Sequence, residues 1–141
     1  MVMVMILTEK QTEKLVQSYK KYWGRSTDEQ DIKNLLNTGY KLKEFTDKIY
    51  NKYKEAGINE FWDVMCESGS FGYELDQFKL KKGSKKDAAF DILYSCQQLI
   101  DLWLEIKNKI PETREEVARV GLADEYDEIV NSLDDDITHV I

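Results

Sequence analysis

Proline, histidine and cysteine are scarce in this 141-residue chain, and each scarcity excludes a class of fold or site. One proline, Pro111, and seven glycines argue against collagen, proline-rich linkers and turn-dense all-β folds. The single histidine, His139, excludes metal sites built from several histidines and makes a histidine-based catalytic triad improbable. Two cysteines, Cys66 and Cys96, are too few for a disulfide framework or a structural zinc site. Both have apolar neighbours, which predicts buried, reduced thiols in a cytoplasmic protein.

Long apolar runs and familiar catalytic motifs are also missing. No stretch approaches the 18 apolar residues of a membrane span. Residues 1–7 are apolar but lack the basic segment of a signal peptide, and they predict a short strand or a disordered leader. The chain has no glycine-rich phosphate loop, no CxxC pair, no GxSxG turn and no HExxH zinc motif. We therefore expect no bound cofactor and no metal ion, and the sequence favours a non-enzyme.

Charge is abundant but unevenly distributed. The net charge is −7, whereas a protein that binds nucleic acid without sequence preference is normally basic. Residues 1–57 carry a net charge of +3, residues 58–110 carry −2, and residues 111–141 carry −8. Lysine outnumbers arginine by 17 to 3, a bias typical of an AT-rich genome such as that of a low-GC bacterium or its phage. The chain is therefore polarised, with an acidic tail at residues 134–141.

Hydrophobic periodicity and capping residues predict an all-α, single-domain bundle of about seven helices over residues 1–141. Thr8 and Gln11 form the pattern of a capping box that begins the first helix. Glycines at positions 39 and 69 predict helix breaks, with a short apolar helix over residues 60–68 and a loop over residues 68–72. Residues 71–80 fit a helix or a strand, and the helix is favoured. Ser84 and Asp87 begin the longest predicted helix, which is expected to run to about residue 108, and the last helix is expected over residues 123–133.

An acidic line follows the longest predicted helix. Its residues recur at spacings of three and four, opposite the apolar stripe, over a length of about 27 Å. With acids of the last helix they could form one negative surface that docks on a basic partner. The competing interpretation is the ordinary solvated face of an amphipathic helix. The candidate partner-binding residues are Asp87, Asp91, Tyr94, Asp101, Glu105, Asp124, Asp127 and Glu128.

Two alternative sites remain open at this stage. Glu60, Asp63 and Glu67 share one helical face and could hold Mg²⁺, as in an all-α nucleotide pyrophosphatase-like enzyme, although the doubled-glutamate pattern of such enzymes is absent. A patch of lysines and a tyrosine could instead grip nucleic acid. Its residues are Lys43, Tyr50, Lys54, Lys82 and Lys85.

The working hypothesis is a small acidic helical protein that acts by binding another protein. It would be an inhibitor or regulator, encoded by a phage, that occludes the nucleic-acid site of a basic partner by electrostatic mimicry of the phosphate backbone. Exposed tyrosines would serve as anchors, because tyrosine is enriched at interfaces. Self-association through the apolar short helix, Phe61 to Cys66, is a further alternative. No association with a membrane is expected.

Overall fold

The computed structural model describes residues 7–23, 26–56, 61–80, 86–107 and 112–133, excluding the side chains of 53–56, 86, 87, 112 and 113. These residues form an all-α fold, as predicted, with six helices in place of about seven, and the described segments contain no strand. The helices are α1 (Glu9–Tyr22), α2 (Glu29–Ala56), α3 (Trp62–Leu80), α4 (Lys86–Lys107), α5 (Glu112–Ala118) and α6 (Ala123–Ser132). Residues 1–6 of the predicted strand or leader, and the predicted acidic tail at residues 134–141, lie outside the described residues. No described helix has the length and apolar character needed to cross a membrane.

The first helix begins where its capping residues predict. The hydroxyl of Thr8 accepts a hydrogen bond from the backbone N–H of Gln11 at 3.1 Å, and the Gln11 side chain accepts one from the backbone N–H of Thr8 at 2.9 Å. Both donors would otherwise lack a partner at the start of the helix. Leu15, Val16 and Tyr19 then bury the predicted apolar face.

The predicted break at Gly39 is wrong, because α2 runs without interruption from residue 29 to residue 56. Gly39 is buried where α2 crosses α4, and a Cβ atom there would overlap Sγ of Cys96 and press on the ring of Phe71. That thiol donates a hydrogen bond to the backbone carbonyl of Leu35 at 3.2 Å. The glycine therefore allows two helices to approach closely, a tertiary role that resembles a helix stop in the sequence.

The predicted loop over residues 68–72 is also wrong, and the uninterrupted helices α2 and α3 together account for the smaller number of helices. Helix α3 continues through Gly69 and Gly72 to Leu80, so the helical interpretation of residues 71–80 is confirmed. Gly72 is buried against Lys43, whose Cε and Nζ atoms would lie 3.0 Å from an added Cβ. Gly69 faces open space.

Helix α4 is the centre of the bundle and packs against α1, α2 and α3. Near its C-terminal end, the fully buried ring of Trp103 lies against Phe45, Phe61 and Tyr126, at centroid distances of 5.7, 5.6 and 6.2 Å. The indole N–H donates a hydrogen bond to the hydroxyl of Thr46 at 3.0 Å. This cluster, centred on Trp103, joins α4 to α2, to the start of α3 and to α6.

The two cysteines differ in environment. Cys96 is buried as predicted, and burial raises the pKa of its thiol. Cys66 is exposed, so the prediction of a buried thiol at this position is wrong. On a helix with apolar residues on most sides, the sequence does not show which side faces the core.

Candidate interaction surface

Helix α4 is exposed along one narrow arc, and the predicted acidic line occupies that arc. At 100° per residue, the exposed and half-exposed positions of the line fall within an arc of about 80°. Asp91, Tyr94 and Glu105 are exposed, and Asp101 is partly exposed. Between its terminal lysines, Lys86 and Lys107, the helix has no basic residue. The side chain of Asp87 lies outside the described residues.

Tyr94 is held in a short stack of aromatic rings at one edge of this arc. Its ring stacks on Phe90 at a centroid distance of 6.0 Å and an interplanar angle of 15°. Phe90 in turn contacts Trp23, at the end of α1, at 5.0 Å. Tyr94 remains 47% exposed and Trp23 49% exposed, so both rings present a face to solvent. The stack joins two helices, and the sequence did not reveal it because Trp23 and Phe90 are far apart in the chain.

The three described carboxylates of the line span about 21 Å along α4. Asp101 accepts a hydrogen bond from the amide of Gln97 at 3.3 Å, which orients its carboxylate. Asp91 and Glu105 lie at exposed positions on either side of it. The structure therefore brings Asp91, Tyr94, Asp101 and Glu105 together as the sequence predicts.

The acids of α6 lie on a different face. Tyr126 of α6 packs on Trp103, which projects from α4 on the side opposite Glu105. Lys107, at the end of α4, donates to the carbonyl of Leu133 at 2.7 Å and fixes the end of α6 there. The exposed residues Asp124 and Glu128 are therefore not brought next to the α4 line.

The acidic residues of α6 are also partly neutralised by basic neighbours. Arg114 of α5 donates two parallel hydrogen bonds of 2.9 Å to the carboxylate of Asp127, and this pairing lowers the pKa of Asp127. Lys48 of α2 donates to Glu125 at 2.8 Å, which raises the pKa of the lysine. Glu125 and Glu128 line a groove of about 310 Å³ together with Lys48 of α2. These exposed pairs join α6 to α5 and α2 and offset part of the negative charge of α6.

The residues proposed for Mg²⁺ do not form a described cluster. Asp63 is exposed, and Glu67 is partly buried, which raises the pKa of its carboxyl group. Glu60 lies outside the described residues. Among the residues that the structure describes, no group of three or more potential ligands could hold a metal ion.

The lysine and tyrosine patch is divided by the fold. Lys43 is mostly buried, with its ammonium group 3.0 Å from Asp47 and 3.4 Å from the carbonyl of Ser68. Tyr50 is 58% exposed and lines a groove between α2 and α3. The side chains of Lys54, Lys82 and Lys85 lie outside the described residues.

That groove has a volume of about 300 Å³ and lies beside an exposed aromatic face of α3. Trp62, Cys66 and Gly69 line it on the α3 side. Trp62 is 52% exposed, and Tyr73 further along the same helix is 61% exposed. The sequence indicated that this helix is apolar on most sides, but the predicted loop over residues 68–72 concealed the continuous face.

No family model matches the chain, and the comparisons with curated proteins and with solved structures found no match.

Proposed function

We propose that this protein is a small helical inhibitor or regulator that binds a basic surface of another protein through the exposed arc of α4. The observation that carries the proposal is the composition of that arc: three carboxylates and an oriented tyrosine, with no basic residue between the two ends of the helix. An ordinary solvated helix mixes both signs, because lysines and acids at i, i+4 stabilise each other. The arc departs from that pattern.

Tyr94 and the carboxylates serve different purposes in this proposal. The ring of Tyr94 is already ordered by its contact with Phe90, so little side-chain entropy is lost when a partner covers it. Such ordered aromatic side chains dominate the binding energy of many interfaces. Asp91, Asp101 and Glu105 steer a basic partner toward the arc and fix its orientation.

The finer proposal is that the partner handles nucleic acid and that binding occludes its nucleic-acid site. The three carboxylates are spread over about 21 Å, whereas B-DNA carries one negative charge per about 1.7 Å of axis. Charge alone therefore gives only a sparse imitation of a phosphate backbone. The mimicry requires the tyrosine as an additional anchor, and it predicts that nucleic acid competes with this protein for the partner.

The test uses the protein as bait in extracts of the cell that produces it, or of its host, at low and at high salt. The informative baits are the wild type and the double variant Asp91→Lys/Asp101→Lys. A partner bound through the arc is lost from the variant, and its capture by the wild type weakens as salt shortens the Debye length. Added nucleic acid should displace it.

A matched control separates the position of the charges from their number. The variant Glu9→Lys/Glu115→Lys changes the net charge by the same amount at exposed positions on α1 and α5. It should retain the partner. A third bait, Asp124→Lys/Glu128→Lys, tests whether the α6 acids contribute. If the partner survives reversal of Asp91 and Asp101, the arc is only solvated surface and the proposal is wrong.

A further inference from the structure

A basic groove lies between the beginning of α1 and the end of α3. Its volume of about 500 Å³ exceeds that of the two grooves described above and falls within the range of ligand pockets. Among its described lining residues, three are lysines and none is acidic. These residues are Thr8, Lys10, Gln11, Lys14, Phe78 and Lys79. In a chain with a net charge of −7, the groove is therefore a local concentration of positive charge.

Three lysines on one groove carry an electrostatic cost. Lys10 and Lys14 are four residues apart on α1, and like charges at this spacing destabilise a helix. Lys79 adds a third positive charge from the α3 side. Glu13, on the same face-to-face pair of helices α1 and α2, does not offset this charge within the groove, because its carboxylate pairs with Lys33 of α2 at 3.4 Å. A bound anion would relieve the repulsion.

A hydrogen-bond donor of fixed orientation also lines the groove. The side-chain carbonyl of Gln11 accepts the backbone N–H of Thr8 at 2.9 Å in the capping box. This bond fixes the amide and leaves its NH₂ group to donate elsewhere. The backbone N–H groups in the first turn of α1 add partial positive charge at the same end of the helix. The groove thus combines ammonium and amide donors, and an anion is the group that accepts from all of them.

The choice of lysine and the number of lysines indicate the kind of anion. Lysine binds phosphate oxygens as a compact point charge, whereas the fork of an arginine is better matched to a carboxylate. Three lysines from two helices balance several negative charges better than one. A ligand with a chain of phosphate groups supplies such charges within a small volume.

We propose that this groove binds a small ligand that carries two or more linked phosphate groups, as a nucleoside di- or triphosphate does. The phosphate chain lies among Lys10, Lys14 and Lys79, and the amide of Gln11 donates to it. None of these residues belongs to α4, so the site is separate from the acidic arc and does not depend on the function proposed for it.

Isothermal titration calorimetry with inorganic triphosphate, at low salt and without divalent cations, gives the first measurement. We expect a dissociation constant of about 10 to about 100 µM and a higher melting temperature with the ligand, because binding to the folded state stabilises it. The variant Lys10→Gln/Lys79→Gln should bind at least about tenfold more weakly, since it loses two charged donors. Lys41→Gln/Lys52→Gln removes the same charge at exposed positions of α2 and should bind like the wild type.

The substitution Gln11→Glu tests the groove without weakening the fold. Glutamate at this position also completes a capping box, so the circular dichroism spectrum and the melting temperature without ligand should be retained. Its carboxylate replaces the amide donor and places a negative charge in the groove, so the affinity for triphosphate should fall at least about tenfold. Asn37→Asp, at an exposed position of α2, adds the same charge and should leave binding unchanged.

ATP and a short single-stranded DNA distinguish the sources of the phosphate groups. ATP that binds at least as tightly as triphosphate supports a nucleoside polyphosphate, and tighter binding of triphosphate supports an inorganic chain. DNA that binds more than about tenfold more tightly than either would indicate a nucleic-acid surface and overturn the proposal. The proposal is also wrong if neither triphosphate nor ATP binds the wild type at concentrations up to about 5 mM, or if groove and control variants lose affinity equally.

Discussion

The close approach of α2 and α4 at Gly39 makes a quantitative prediction about two glycine substitutions. Alanine is more favourable than glycine inside a helix by about 1 kcal/mol. At Gly69, where an added Cβ meets nothing within 4 Å, that gain should appear in full, so Gly69→Ala raises the free energy of unfolding by about 1 kcal/mol. At Gly39 the new methyl group overlaps the buried Sγ of Cys96. Overpacking of this kind costs about 1 to 3 kcal/mol, so Gly39→Ala is neutral to destabilising by about 2 kcal/mol.

A double-mutant cycle assigns the cost to the contact itself. Cys96→Ala removes the sulfur atom, so Gly39→Ala should be better tolerated in that background, with a coupling energy of about 1 to 2 kcal/mol. Part of the strain remains, because the ring of Phe71 lies 3.2 Å from the added atom. Urea unfolding at low micromolar protein concentration, followed by circular dichroism, measures all four proteins. In thermal melts, each change of 1 kcal/mol in the free energy of unfolding corresponds to a shift of about 3 to 4 °C in the melting temperature.

Two results would refute this reasoning. If Gly39→Ala stabilises the protein as much as Gly69→Ala does, α2 and α4 are not in close contact at this position. If Gly39→Ala is equally damaging with and without the Cys96 sulfur, the cost does not arise from the contact with that sulfur. A helix break at Gly39 would behave in that second way.

Substitutions at Thr46 and Glu67 test a buried hydrogen bond in the core and the effect of a partly buried carboxylate on stability. Thr46→Val removes the hydroxyl that accepts a hydrogen bond from the buried indole N–H of Trp103. Because that donor is left unsatisfied, the free energy of unfolding measured in urea should fall by about 1 to 3 kcal/mol. Thr46→Ser keeps a hydroxyl and should cost less. Burial raises the pKa of Glu67, so its charged form weakens the fold above the unfolded-state pKa, and this penalty disappears when pH falls below that value. Glu67→Gln should therefore raise the melting temperature near neutral pH and have little effect at about pH 3. An equal shift at both pH values would show that burial of the charge is not the cause.

The outlines of the fold were predictable because local signals suffice for them. The capping box at Thr8 and the apolar stripe of α4 depend on residues within one or two turns, and both are found where the sequence places them. Gly39 was misinterpreted because glycine can end a helix or allow two helices to approach closely, and only the neighbour in space distinguishes these roles. That neighbour, Cys96 in the case of Gly39, is 57 residues away in the chain.

The candidate surface was likewise predictable where it depends on one helix and unpredictable where it depends on contacts between helices. The periodicity of α4 was enough to place Asp91, Tyr94, Asp101 and Glu105 on one exposed line, because a helix fixes relative direction over its own length. It did not show that α6 docks on the opposite side of α4, since that depends on the contact between Tyr126 and Trp103. The exposed aromatic face of α3 was hidden for a similar reason, because a continuous helix through two glycines is a tertiary outcome.

The three tryptophans give the protein a set of built-in optical reporters. Trp103 is fully buried, whereas Trp23 and Trp62 are each about half exposed, one beside the α4 arc and the other on the exposed aromatic face of α3. Iodide should therefore quench two emitters and spare the third, which reports on unfolding alone. Replacing Trp62 with phenylalanine would leave Trp23 to signal events at α4, and replacing Trp23 would leave Trp62 to signal those at α3. Binding, self-association and unfolding can thus be followed separately without attaching any dye.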